Sequence, residues 1–152
     1  MATTIITIEI ATALHTALKA VAPAGCAVYA QGLVTDAEGN ADPNTTELRR
    51  SCPMIDIIPG ERRPQMHASV LREYPVTIRA ITYGPHDQWK ETLYTVAQAV
   101  SGYLCGPPSL SLSLVHFDSL VITAHPQEPL FAGPNDTLQY FEWQIIINTR
   151  TV

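Results

Sequence analysis

The sequence has little charge and no long apolar run. Charged residues make up 15% of its 152 residues, against about 25% in a typical globular protein. Nine Lys and Arg stand against fourteen Asp and Glu, which gives a net charge of −5. Because gripping nucleic-acid phosphates over a broad area requires a basic surface, this balance argues against that class of protein. Low charge also favours a chain whose sides are covered by other subunits. The lack of about 18 consecutive apolar residues predicts no transmembrane helix.

Cysteines are few and unpaired in the sequence. Cys26, Cys52 and Cys105 are far apart, odd in number and form no CxxC pair, which favours buried or half-buried thiols. The first thirty residues have no basic leading region, and Glu9 and Lys19 interrupt their apolar character. We therefore interpret them as mature structure and not as a signal peptide, which predicts a chain made in the reducing cytoplasm.

The sequence also lacks the common catalytic motifs, because GxxxxGK[ST], GxGxxG, GxSxG and HExxH are all absent. Weaker arrangements remain. His116 and Asp118 lie two residues apart on one strand face and could share a metal with His125, but structural zinc takes four ligands at tight spacing. A polar strand end is the favoured interpretation. His86 and Asp87 can orient a general base or cap a helix, and we favour the cap.

Cys52 is the remaining candidate for chemistry. Arg49 and Arg50 precede it, and nearby positive charge can activate a thiol as a nucleophile. Such a nucleophile also needs a histidine close in space, which no sequence feature indicates. We therefore predict no catalytic, cofactor-binding or metal-binding residues, and the residues by themselves favour a structural or interaction protein over an enzyme.

Two segments have apolar residues at helical spacing, Thr4–Val21 and Gln88–Leu104. Strands are predicted at Cys26–Val34, Pro53–Ile58, Tyr74–Tyr83, Ser109–Val115, Leu120–Ala124 and Leu138–Thr149. This order predicts the α+β class, with a mixed, largely antiparallel sheet and both amphipathic helices packed on one face. Residues 1–152 are predicted to form a single domain, because no repeat or linker divides them.

Long loops separate several of these elements. The longest loops are Thr35–Arg50 and His125–Asp136. Loops of this length are usually either functional or disordered. Glu61–Glu73 is the most basic segment of an acidic chain. It is either an exposed hairpin tip or a contact arm for a partner surface. The arm contains Arg62, Arg63, His67 and Arg72.

Three stretches carry a resemblance to a known family. Tyr74–Ile81 reads YPVTIRAI, Asp87–Tyr94 reads DQWKETLY at the start of a helix, and Tyr140–Ile145 reads YFEWQI in the last strand. Together with the amphipathic first helix, this layout resembles the tail terminator proteins of long-tailed bacteriophages and related particles, also called tail completion or tail-to-head joining proteins. The resemblance covers most of the chain. The loops are longer here than in the simpler members.

The resemblance implies a structural role in a virion. Six copies would form a ring that caps the tail tube, ends its polymerisation and presents a surface to the head–tail connector or neck. DNA would pass through the lumen without specific binding, and neither catalysis nor a cofactor would be involved. The protein would be assembled in the host cytoplasm and end in the tail or neck. The candidate residues for contacts with other subunits or the tube are Arg49, Arg50, Arg62, Arg63, His67, Arg72 and Phe131.

Other functions remain open from the residues. The chain could be another phage neck, head-completion or tail-tube subunit. It could also be a small cytoplasmic enzyme or ligand-binding domain, with a site at His116, Asp118 and His125 or around Cys52. An oligomeric domain without a defined role is the fourth alternative.

Overall fold

The computed structural model describes residues 5–30, 53–60, 71–84, 86–106, 108–132 and 138–151. They form two helices and six strands. The elements are α1 (Ile5–Val21), β1 (Ala27–Ala30), β2 (Met54–Pro59), β3 (Leu71–Tyr83), α2 (His86–Cys105), β4 (Val115–Ala124), β5 (Leu130–Ala132) and β6 (Leu138–Thr151).

The six strands form one sheet in the order β1-β2-β3-β6-β4, and β5 also pairs with β6. The β1–β2 pair is parallel, and the other pairs are antiparallel. Residues 138–140 of β6 pair with β5, whereas residues 144–151 pair with β4. Both short partners therefore lie along the same side of β6. The predicted α+β class with a mixed, largely antiparallel sheet is confirmed.

Both helices pack on one face of this sheet, as the sequence predicts. In α1, Ile10, Leu14 and Leu18 are buried at helical spacing. In α2 the corresponding buried residues include Leu93 and Val100. Alternate strand residues complete the core under the helices, since successive side chains of a strand point to opposite faces. They are Val28, Ala30, Ile55, Ile57, Tyr74, Val76, Ile78, Ala80, Phe141, Trp143, Ile145 and Ile147.

The structure corrects the strand predicted at Ser109–Val115. Only Val115 belongs to a strand, and residues 109–114 lie off the sheet against α1. Leu110 is buried in the helix-side core, and the Glu9 carboxylate accepts the backbone N–H groups of Ser113 and Leu114. Alternation of Leu and Ser indicates only that the leucine side of the segment packs against another element, not which element this is. Here a helix supplies the cover that a neighbouring strand was expected to supply.

Other boundaries also differ from the prediction. Leu120–Ala124 is the second half of the longer β4, and the predicted loop His125–Asp136 contains β5. β3 begins at Leu71, so the last three residues of the predicted basic arm belong to a strand. The loop Thr35–Arg50 lies outside the described residues.

Pro75 lies inside β3, although a proline is expected at a strand end. In an antiparallel strand the N–H and C=O of one residue point to the same neighbour. The Pro75 carbonyl accepts the N–H of Gly60 at 2.8 Å, just past the end of β2. The hydrogen bond that Pro75 cannot donate is therefore lost on the β2 side, at the end of the β2–β3 pairing. On the other side, the pairing of β3 with β6 continues without interruption from Leu71 to Tyr83.

Candidate functional site

The structure describes two of the seven residues predicted to contact other subunits. Arg72 lies in β3 opposite Thr149, and Phe131 lies in β5 opposite Gln139. Their partners are ten residues apart along β6, so the two positions are about 34 Å apart and form no common patch. Residues Arg49, Arg50, Arg62, Arg63 and His67 lie outside the described part of the chain.

The histidines and Asp118 considered for chemistry are not assembled into a site. His116 and Asp118 lie in β4, and the Asp118 carboxylate accepts a hydrogen bond from Nε of Arg150 at 2.9 Å. Arg150 also lies opposite His116 in the sheet, so His116 and Asp118 are on the same face, but Asp118 is engaged in the ion pair. Within the described ranges, no three His, Cys, Asp or Glu side chains are placed to hold a metal ion.

The helix α2 begins at His86, so His86 and Asp87 lie in its first turn and not before it, where the capping interpretation placed them. Cys52 lies outside the described residues. Among the described helices, none is both long enough and apolar enough to cross a membrane.

The face of the sheet away from the helices, here the outer face, carries a hydrogen-bonded polar network. Arg79 Nε donates to Glu142 Oε1 at 2.8 Å, and Gln144 Nε2 donates to Glu142 Oε2 at 3.1 Å. Thr77 Oγ1 donates to Gln144 Oε1 at 2.9 Å. The Arg79 guanidinium lies 4.9 Å from the ring centre of Tyr140. The charges at the middle of this face are therefore paired.

A second ion pair lies further along β6 on the same face. Arg150 pairs with Asp118 and is eight residues from Glu142, so its side chain points to the same side of the strand. Asn148 donates to the Ser119 hydroxyl at 3.0 Å between the two pairs. This face presents many hydrogen-bonding groups, and its opposite charges lie close together.

The side of the sheet formed by β4 and β5 carries several exposed large hydrophobic residues among polar ones. Leu114, Val121, Leu130 and Phe131 are each 46–47% exposed, and all four lie in these strands or directly before β4. They are half of the eight large hydrophobic residues that are exposed in the described part of the chain. We call these four residues the apolar edge; they are spread along β6 from the end near Thr151 to Gln139, so they do not form one continuous patch. Sequence patterns did not single it out, because alternation identifies a strand but not its place in the sheet.

A groove lies beside the apolar edge, between α2 and the residues that follow β4. It has a volume of about 220 Å³ and is lined by Tyr94, Phe141 and Trp143, among others, with His125 and Pro126 at its side. The Tyr94 and Phe141 rings are 5.4 Å apart, and Tyr94 is 40% exposed. We call this the α2 groove. Its aromatic lining suits an apolar side chain.

A larger open groove of about 750 Å³ separates α1 from residues 109–114. Its lining combines leucines with the hydroxyls of Thr12, Thr16, Ser109, Ser111 and Ser113, and Glu9 is its one acid. The Glu9 carboxylate is already bonded to backbone N–H groups. This groove therefore has no acid–base pair.

One titratable group is perturbed in α2. Burial raises the pKa of the Tyr103 hydroxyl. That hydroxyl has no hydrogen-bond partner among the described residues. Tyr103 is therefore neutral at physiological pH and contributes packing, not charge.

Comparison with solved structures finds chains of similar fold. The chain resembles a chain in the solved structure titled "Virion of native gene transfer agent (GTA) particle", with a TM-score of 0.60 and 11% sequence identity. The match covers 97% of this chain and 99% of the other. No family model matches the sequence. No curated protein matches it either. At this identity the comparison shows a shared fold.

Proposed function

We propose that this chain is a structural protein of a phage-like virion, and that it acts as a tail terminator. Six copies form a ring on the end of the tail tube, stop its polymerisation and present a surface for the head–tail connector. The observation that carries the proposal is the fold shared with a chain of the gene transfer agent virion over nearly the whole of both chains. The resemblance of the sequence to tail terminator proteins supports the same role.

Two properties of the surface fit this role. A charged fraction of 15% suits a chain whose sides meet other subunits. The apolar edge leaves four large hydrophobic residues half-exposed on one side of the sheet, where contact with other subunits would cover them. We propose a structural and not a catalytic function on this basis.

The outer face fits a protein through whose ring DNA passes. Its described arginines, Arg79 and Arg150, are held in ion pairs by Glu142 and Asp118, so the described part of this face offers no row of free cations to phosphates. A conduit needs such a surface, since a basic lumen would hold DNA and slow its passage. The proposed place of the protein is the tail or neck of the virion, after assembly in the host cytoplasm.

The test is ring formation on tail tubes. Purified protein is studied by light scattering over a concentration series and by negative-stain imaging, alone and with tail tubes of its own particle. We expect a species of about 100 kDa, six times the chain mass of 16.6 kDa, seen as rings with a central hole or as caps on tube ends.

Each other outcome decides between the alternatives. Rings that bind the connector but never the tube would make the protein a neck or head-completion subunit. Incorporation along the whole tube would make it a tube subunit. A monomer that neither closes into rings nor caps tubes would overturn the proposal.

A further inference from the structure

Residues 109–114, here called the strap, connect the end of α2 to β4, and their sequence pattern conflicts with their conformation. They alternate leucine with serine as a half-buried strand does, yet they pair with no described strand and lie against α1. The strap contains no proline or glycine that would oppose strand formation, and it carries no charge. Disagreement of this kind between local pattern and observed conformation is expected at functional or strained parts of a fold.

Few contacts hold the strap on α1. Among its six residues only Leu110 is fully buried, at 5% exposed. No backbone–backbone hydrogen bond joins the strap to another described residue. The groove of about 750 Å³ separates much of the strap from the helix. A segment with so little buried apolar surface can open at a free energy well below that of global unfolding. The exposed residues of the strap are Ser109, Ser111, Ser113 and Leu114.

The Glu9 carboxylate makes the polar contacts between α1 and the strap. It accepts the backbone N–H groups of Ser113 and Leu114, the latter at 3.2 Å. The hydroxyls of Thr12 and Thr16 line the same groove, but they donate to carbonyls of α1 itself. A hydrogen bond to an ionised acceptor is stronger than one between neutral groups. Closure of the strap therefore depends on Glu9 more than on any other described polar side chain.

We propose that Glu9 and the strap form a latch. The strap is closed while the Glu9 carboxylate holds it on α1, and it opens as a unit while the sheet and both helices stay folded. Its two ends remain anchored, because α2 ends at Cys105 and Val115 pairs with Thr151. Opening frees both walls of the groove, namely the leucines of the strap and the side of α1 from Thr12 to Ala17. This inference does not depend on the proposed ring.

Cysteine labelling of the full chain tests local opening. Leu110→Cys places a thiol on the buried side of the strap, and Leu93→Cys, the matched control, places one in the core of α2 at a position that is 0% exposed. Labelling is measured peptide by peptide by mass spectrometry, so the native cysteines do not interfere. We expect Leu110→Cys to react at least about a hundredfold faster than Leu93→Cys. Low urea should accelerate only Leu93→Cys, because urea favours openings that expose much surface.

Variants of two glutamates identify the latch. In the Leu110→Cys chain, Glu9→Ala should raise the labelling rate by about tenfold, because two backbone N–H groups lose their acceptor. Glu91→Ala removes an exposed acid from α2 and should leave the rate unchanged. Equal labelling rates with Glu9 and with Glu9→Ala would overturn the role of Glu9.

Hydrogen exchange of the wild type tests the same opening if Leu110→Cys does not fold. The amides of Ser113 and Leu114 should exchange at a rate that low urea leaves unchanged. The amide of Ile145, which lies between β3 and β4 in the sheet, should exchange faster as urea rises. The proposal is wrong if the strap amides or the Leu110→Cys thiol show the urea dependence of the core, since the strap would then open only when the whole chain unfolds.

Discussion

The hydroxyl of Thr149 is buried on the helix side of β6 and has no hydrogen-bond partner among the described residues. Thr149 is 0% exposed and lies opposite Arg72 and Phe117 in the neighbouring strands. A buried hydroxyl that is left unsatisfied costs about 1–3 kcal/mol relative to water. Valine has nearly the same shape and carries no polar group. We therefore expect Thr149→Val to raise the free energy of unfolding by about 1–2 kcal/mol.

Thr82→Val is the matched control for this substitution. Thr82 is also 0% exposed, but its Oγ1 donates to Gln139 Oε1 at 3.3 Å. The same replacement removes a hydrogen bond there, so we expect a loss of about 0.5–1.5 kcal/mol. Both variants make the same change in side-chain volume. They differ in whether the hydroxyl that is removed had a hydrogen-bond partner.

Urea unfolding of the wild type and both variants measures the difference. An increase of about 1–2 kcal/mol corresponds to about 2–8 °C in Tm for a chain of this size. The slope m should not change, since the substitution leaves the buried surface nearly the same. A loss of stability in Thr149→Val as large as that in Thr82→Val would refute the reasoning, because it would mean that the Thr149 hydroxyl is satisfied.

Three further predictions concern α1, α2 and two glycines. Glu9→Ala should lower the free energy of unfolding by about 1–2 kcal/mol, because two backbone N–H groups lose their acceptor. Glu9→Gln, which keeps an acceptor oxygen, should recover at least half of the lost stability in the same urea assay. Equal urea midpoints for the wild type and both variants would contradict this. Because burial raises the pKa of Tyr103, the folded protein holds the tyrosine proton to a higher pH than the unfolded chain does. The free energy of unfolding should therefore be independent of this group below about pH 10, the usual tyrosine value, and should fall as the pH rises above it. In unfolding measured over a pH series, Tyr103→Phe should lose less stability above about pH 10 than the wild type, because the titrating hydroxyl is gone. An identical loss in both proteins would contradict this prediction. Gly84→Ala should lower Tm more than Gly25→Ala. Gly84 and Gly25 both have positive φ, 131° and 80° respectively, but only at Gly84 would an added Cβ overlap the Trp89 ring. Equal decreases in Tm would argue against the overlap.

The parts of the fold that follow from local periodicity are predictable from the sequence. Helices α1 and α2 are predicted because Ile10, Leu14 and Leu18, and likewise Leu93 and Val100, recur on one helical face. β6 is predicted from alternation over many residues. That residues 1–152 form one domain stays a prediction.

Features that depend on distant neighbours were not predictable. Residues 109–114 have strand alternation, but their cover comes from α1, about a hundred residues earlier in the chain. β5 has three residues and lies among prolines and glycine, so its strand character depends on pairing with β6. The sequence predicts Phe131 as a contact residue but does not single out Val121. Its exposure depends on β4 being at the edge, which the order of strands decides.

The position of β6 in the sheet has a consequence for synthesis of the chain. β3, β4 and β5 all pair with β6, yet each of them precedes it in sequence. While a ribosome makes the chain, β3 has a partner only in β2, and β4 has none among the described strands until β6 emerges from the exit tunnel. The nascent chain thus exposes two long apolar strands for the time needed to make residues 125–151, a few seconds at about 5–20 residues per second. Early termination before β6 should give a chain that aggregates or binds chaperones, not a smaller folded protein.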